Sequence, residues 1–111
     1  MSSLEAGWAM VAKLEAEGIE ATCDPRSATP PCVLIEPPSG GYGNCGDLVG
    51  EWRVVALAPG SANTDAWAAL EVLEAAVVAV LPVERRTFGR YQLALDQQAL
   101  PAFLFTFTQG V

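Results

Sequence analysis

The sequence contains no histidine. Proton transfer near neutral pH then falls to carboxylates, lysine or tyrosine, and metal sites lose their commonest ligand. Charged residues are scarce, at 17%, and the basic ones form no stripe interleaved with aromatics that would follow a phosphate backbone. Sequence-specific nucleic-acid binding is therefore not expected. Cysteine is limited to Cys23, Cys32 and Cys45, without a Cys-x-x-Cys spacing. Neither a zinc site nor an activated thiol is expected, and the three read as free, partly buried thiols in a reducing compartment. A Cys23 to Cys45 disulfide is the alternative. The longest apolar run, Ala75 to Val83, falls well short of the roughly 20 residues of a spanning helix, so no membrane partner is expected. The N-terminus shows no basic segment ahead of an apolar one, so no secretory signal is expected and the cytoplasm is the default.

What is present is apolar. Hydrophobic residues make up 51% of 111, enough for one domain over residues 1–111 with one modest core and more than a small monomer requires. Some apolar surface is therefore expected to serve partners. The net charge of −7 keeps such a chain soluble, and an acidic wall would also let a DNA duplex slide past without sticking.

Periodicity gives the elements. Leu4, Trp8, Val11 and Leu14 recur at helical spacing within Ser3 to Glu17, with Ser3 as N-cap, Gly18 as left-handed terminator and Ile19 folding back. Trp8 is expected to anchor the core. Asp24-Pro25 and Thr29-Pro30-Pro31 impose extended or turning backbone. Cys32 to Glu36 reads as a strand covered on both faces and stopped by Pro37-Pro38. Ser39 to Gly46 holds four glycines in eight residues and reads as a long loop, from which Gly40, Gly41, Tyr42, Gly43 and Asn44 are expected to order on assembly. Gly41-x-Gly43-x-x-Gly46 matches the bare dinucleotide pattern, but the next element is a strand, Glu51 to Ala58, rather than a helix. No cofactor is expected. A second helix runs from Asn63 to Leu81, and two further strands span Thr87 to Leu95 and Ala102 to Thr108. The alternation of Phe103, Phe105 and Phe107 in the last strand points one face at a helix layer. The expected fold is α+β, an antiparallel or mixed four-stranded sheet with two helices, in the order α-β-β-α-β-β.

The second helix is apolar on most sides. Trp67, Leu70, Leu73 and Val77 form its expected core stripe, which leaves Ala66, Ala69, Val72 and Ala76 as candidates for a subunit contact. Arg85, Arg86 and Arg90 hold half the basic charge in and after a turn, and their planar guanidinium groups suit a neighbour's carboxylates. Glu36 and Glu51 could face each other across the hairpin, most simply as a solvated pair. No catalytic motif occurs, and an enzyme is not expected.

The short helix ending Glu17-Gly18-Ile19, the bend Asp24-Pro25, the segment Pro30 to Pro38, the strand Trp52 to Pro59 and the Asp65-Ala66-Trp67-x-x-Leu70 helix together resemble the tail-terminator proteins of long-tailed phages, particularly those infecting actinobacteria. The likeness is one of pattern over most of the chain, without a catalytic signature. It implies a ring of copies of this chain, usually six, that caps the head-proximal end of the tail tube. The implied partners are the major tail tube protein and a head-completion or connector protein, with DNA passing through the lumen. The implied location is the virion neck after assembly in the host cytoplasm. Two alternatives stand beside it: another neck or head–tail completion protein, and a ligand-binding α+β module with a pocket lined by Phe103, Phe105, Phe107, Trp52 and Trp67.

Overall fold

A computed structural model describes residues 3–42, 48–59, 64–92 and 99–110. The first helix, α1, runs Ser3–Ala16, and Gly18 ends it at φ 80°. The Gly18 amide donates to the Glu15 carbonyl at 3.0 Å and the Ile19 amide to Leu14 at 3.1 Å, the paired bonds of a Schellman cap. Ile19 folds back into the core as expected. The buried stripe differs from the expected one: it comprises Ala6, Gly7, Met10, Val11 and Leu14, while Leu4 is 64% and Trp8 45% exposed. Gly7 explains the rotation. A Cβ there would sit 3.1 Å from the Cys23 sulfur and 3.7 Å from the Trp52 ring, so the helix presses its smallest residue against the largest buried side chain. Trp8 is therefore not a core anchor.

Beyond α1 come β1 (Ala21–Thr22), a 3-10 turn (Pro25–Ser27), β2 (Cys32–Ile35), β3 (Ser39–Tyr42), β4 (Leu48–Leu57), α2 (Thr64–Val80), β5 (Arg85–Gln92) and β6 (Ala99–Gly110). The Asp24 carboxylate caps the turn through the Arg26 amide at 3.0 Å and holds the Arg26 guanidinium at 3.2 Å. The mixed sheet carries β1-β2-β4-β6-β5 side by side, with β3 also paired to β4. The class is α+β with two helices, as expected, but four strands and the expected order fall short. The two-residue β1, parallel to β2, is too short to show a period, and β3 is glycine-rich.

The long β4 organises everything else. Its first half pairs with β3 from Ser39↔Glu51 to Tyr42↔Leu48, its second half with β2 from Cys32↔Leu57 to Ile35↔Val54. Pro37 and Pro38 lack ladder donors and break that arm in two. Gly40, Gly41 and Tyr42 thus lie in a strand and not in a loop. Gly43 and Asn44 fall outside the described residues, as do Asn63, expected near the second helix start, and Cys45, partner of the alternative disulfide. Cys23 and Cys32 are free thiols.

Both sheet faces are covered. Toward the helices lie Val33, Ile35, Trp52, Val54, Phe105 and Phe107, meeting Met10, Leu14, Leu70, Leu73 and Val77. On the reverse, Cys32, Leu34, Val55, Leu57, Leu100 and Ala102 form a second cluster, with Ala28 and Tyr91 against it. Tyr91 pairs in register with Leu100, at the far end of β6, yet its hydroxyl donates to Glu36 at 3.3 Å. The Tyr91–Leu100 end of the β5–β6 ladder must therefore curl back over this reverse face.

Candidate assembly surface

Alternation along β5 sorts its side chains. Phe88 lies opposite Phe103 and Arg86 opposite Phe105, which turns Arg86, Phe88 and Arg90 toward the helix side and Arg85 away from it. The three arginines are strand residues and not part of a turn, because Arg85 and Arg86 already pair with β6. Arg86 reaches Glu74 of α2 at 3.4 Å, an exposed bond that ties the hairpin to the helix. Arg90 forms no ion pair among the described residues and stands in solvent.

Between the first turns of α2 and this hairpin lies an open groove of about 540 Å³, walled by Trp67, Leu70, Phe88, Pro101 and Phe103. Phe88 meets Phe103 edge to face with centroids 6.0 Å apart, and Phe103 meets Phe105 in the same way at 6.4 Å. This aromatic row starts in the core and ends in water: Phe105 is fully buried, Phe88 is 83% exposed. Trp67, across the groove, is 63% exposed. The helical period puts it in the core stripe, but Ala66 takes that place with Leu70, Leu73 and Val77.

The expected α2 contact set is accordingly split. Ala66 belongs to the core and is not an interface residue. Ala76 is half-buried against the core, Ala69 is half-buried, and Val72 is exposed, joined on the outer side by Val78. The aromatic pocket set divides similarly: Trp52, Phe105 and Phe107 are sealed in the core, whereas Trp67 and Phe103 line the groove. Phe88 escapes a reading by period because its strand alternates arginine with aromatic and glycine and shows no clean apolar repeat.

The expected facing of Glu36 and Glu51 does not occur. Glu51 pairs with Ser39 in register, whereas Glu36 lies 3.5 Å from the Arg53 guanidinium and accepts from Tyr91. Burial, then the neighbouring Glu36 carboxylate, raises the Tyr91 hydroxyl above its ordinary pKa. Desolvation, reinforced by the Glu20 charge, pushes Cys32 up to about 11, so it rests as a neutral thiol. Among the described residues no three acidic or thiol side chains gather as a metal site, and no helix is long and apolar enough to cross a membrane. Compared with family models, curated proteins and solved structures, the chain matches none.

Proposed function

We propose that this chain is a structural subunit that self-assembles into a closed ring, as the tail terminator of a long-tailed phage. The observation that carries the assembly reading is the open aromatic groove at one flank of the sheet. Trp67 and Phe88 stand 63% and 83% exposed, although a chain with this apolar content could have kept smaller or polar residues there. Exposed aromatic side chains are the usual composition of a contact centre. The acidic balance of −7 suits a lumen traversed by DNA, and the resemblance supplies the tube and connector as partners. The reading includes no enzymatic activity and no cofactor.

Native mass measurement across concentration tests the assembly. Hexamers, or monomers that become rings only on tube tips, both agree with it, whereas a stable dimer at every concentration contradicts it. The groove's apolar lining also favours a second reading, a small-ligand module, since its volume falls in the range of such sites. Saturable one-to-one binding of an apolar fluorophore, lost in Trp67→Ser, would select that reading.

A further inference from the structure

A ring needs two unlike surfaces per subunit, and the chain exposes a second apolar feature besides the groove. Leu4 and Trp8, one helical turn apart on α1, are 64% and 45% exposed and make a ridge with small Ala12 one turn further on. The two features sit on opposite flanks. Helix α1 packs on β1 at one edge of the sheet, while the groove is built on β5 at the other edge.

Their charges are complementary. Strand β5 carries no acid and turns Arg86 and Arg90 toward the groove side, Arg86 held by Glu74 and Arg90 without an ion pair among the described residues, whereas residues 3–20 carry Glu5, Glu15, Glu17 and Glu20 against Lys13 alone. We infer that the groove is the docking site for the Leu4–Trp8 ridge of a second copy of this chain, an inference that rests on the ring reading above. The far wall of the groove fixes the orientation. Helix α2 brings Asp65, Glu71 and Glu74, so an acidic helix is steered to the β5 rim, with its apolar ridge inserted between Trp67 and Phe88. Because ridge and groove are different patches on opposite flanks, the contact is head-to-tail. Such a contact repeats from copy to copy, closing a ring where the rotation per step divides a full turn, and it does not stop at a symmetric dimer.

Two double variants of the full chain test this: Leu4→Ala with Trp8→Ala, and Trp67→Ser with Phe88→Ser. All four side chains are exposed, Trp8 least at 45%, so unchanged thermal unfolding is expected to verify the fold of each variant. Sedimentation is followed up to ~1 mM, the weak end of specific association. Each variant alone is expected to self-associate at least ~30-fold more weakly than the wild type, the effect of removing a contact centre. Mixed together they are expected to form a one-to-one heterodimer and stop, since only one intact ridge meets one intact groove. Arg90→Glu is expected to weaken wild-type association and reduce its salt dependence. A wild type monomeric throughout overturns the ridge–groove contact but leaves a tube-templated ring standing. Association that survives in either variant also overturns it, by placing the contact elsewhere. A closed wild-type dimer overturns both.

Discussion

At the scale of single residues, burial decides which groups respond to pH. Cys32 is 1% exposed on the reverse face of the sheet, and its neutral thiol is favoured up to a pKa of about 11 against an ordinary 9.0. Folded and unfolded chains both hold the proton below pH 9.0, whereas above it the unfolded chain loses the proton first. The contribution of Cys32 to stability is therefore expected to be flat below pH 9.0 and to fall as pH rises toward about 11. The raised Tyr91 adds in the same direction. Denaturant titrations at successive pH values check this, and Cys32→Ala should flatten part of the decline. Cys32 as a buried thiol is legible from its place in an apolar strand. The exposure of Trp8 is not, because a tryptophan at helical spacing with Leu4, Val11 and Leu14 reads as core. Only the three-dimensional fit of Gly7 against Trp52 shows that the stripe turns away from it.

Among the elements, α2 shows how close a contact face lies to a core face. Ala66 and Val72 are equivalent in sequence, both off the expected stripe, yet Ala66 is 5% and Val72 62% exposed. Ala66→Glu would strand a carboxylate in the core and is expected to cost about 3–5 kcal/mol or to unfold the chain. Val72→Glu should leave stability within about 0.5 kcal/mol, and it weakens assembly if the outer side of α2 takes part. Chemical denaturation paired with sedimentation of both variants checks this, and equal destabilisation by the two would contradict the assignment. Both helices, the paired strands around Val33 and Val54, and the Phe105–Phe107 face are legible because each has a strong period or a clear cap. β3 is not, since Gly40 and Gly41 have low strand propensity and are held by the ladder of β4. Nor is the curl of the β5–β6 ladder, which brings Tyr91 to Glu36, 55 residues away in sequence.

For the whole molecule, the sheet acts as a plate with two different flanks. One carries α1 with its apolar ridge and acidic charge, the other an aromatic groove on the same strand face as Arg86 and Arg90. The ridge reads as core in the sequence, and of the groove only Trp67 and Phe103 are legible as pocket residues, because it joins residues from three elements. The most direct measurement adds the purified protein to tail tubes assembled from their tube protein and images them by electron microscopy. One ring at a single end of each tube is expected, with an end to further growth when more tube protein is added. Tubes that keep growing with bare ends would contradict the terminator reading.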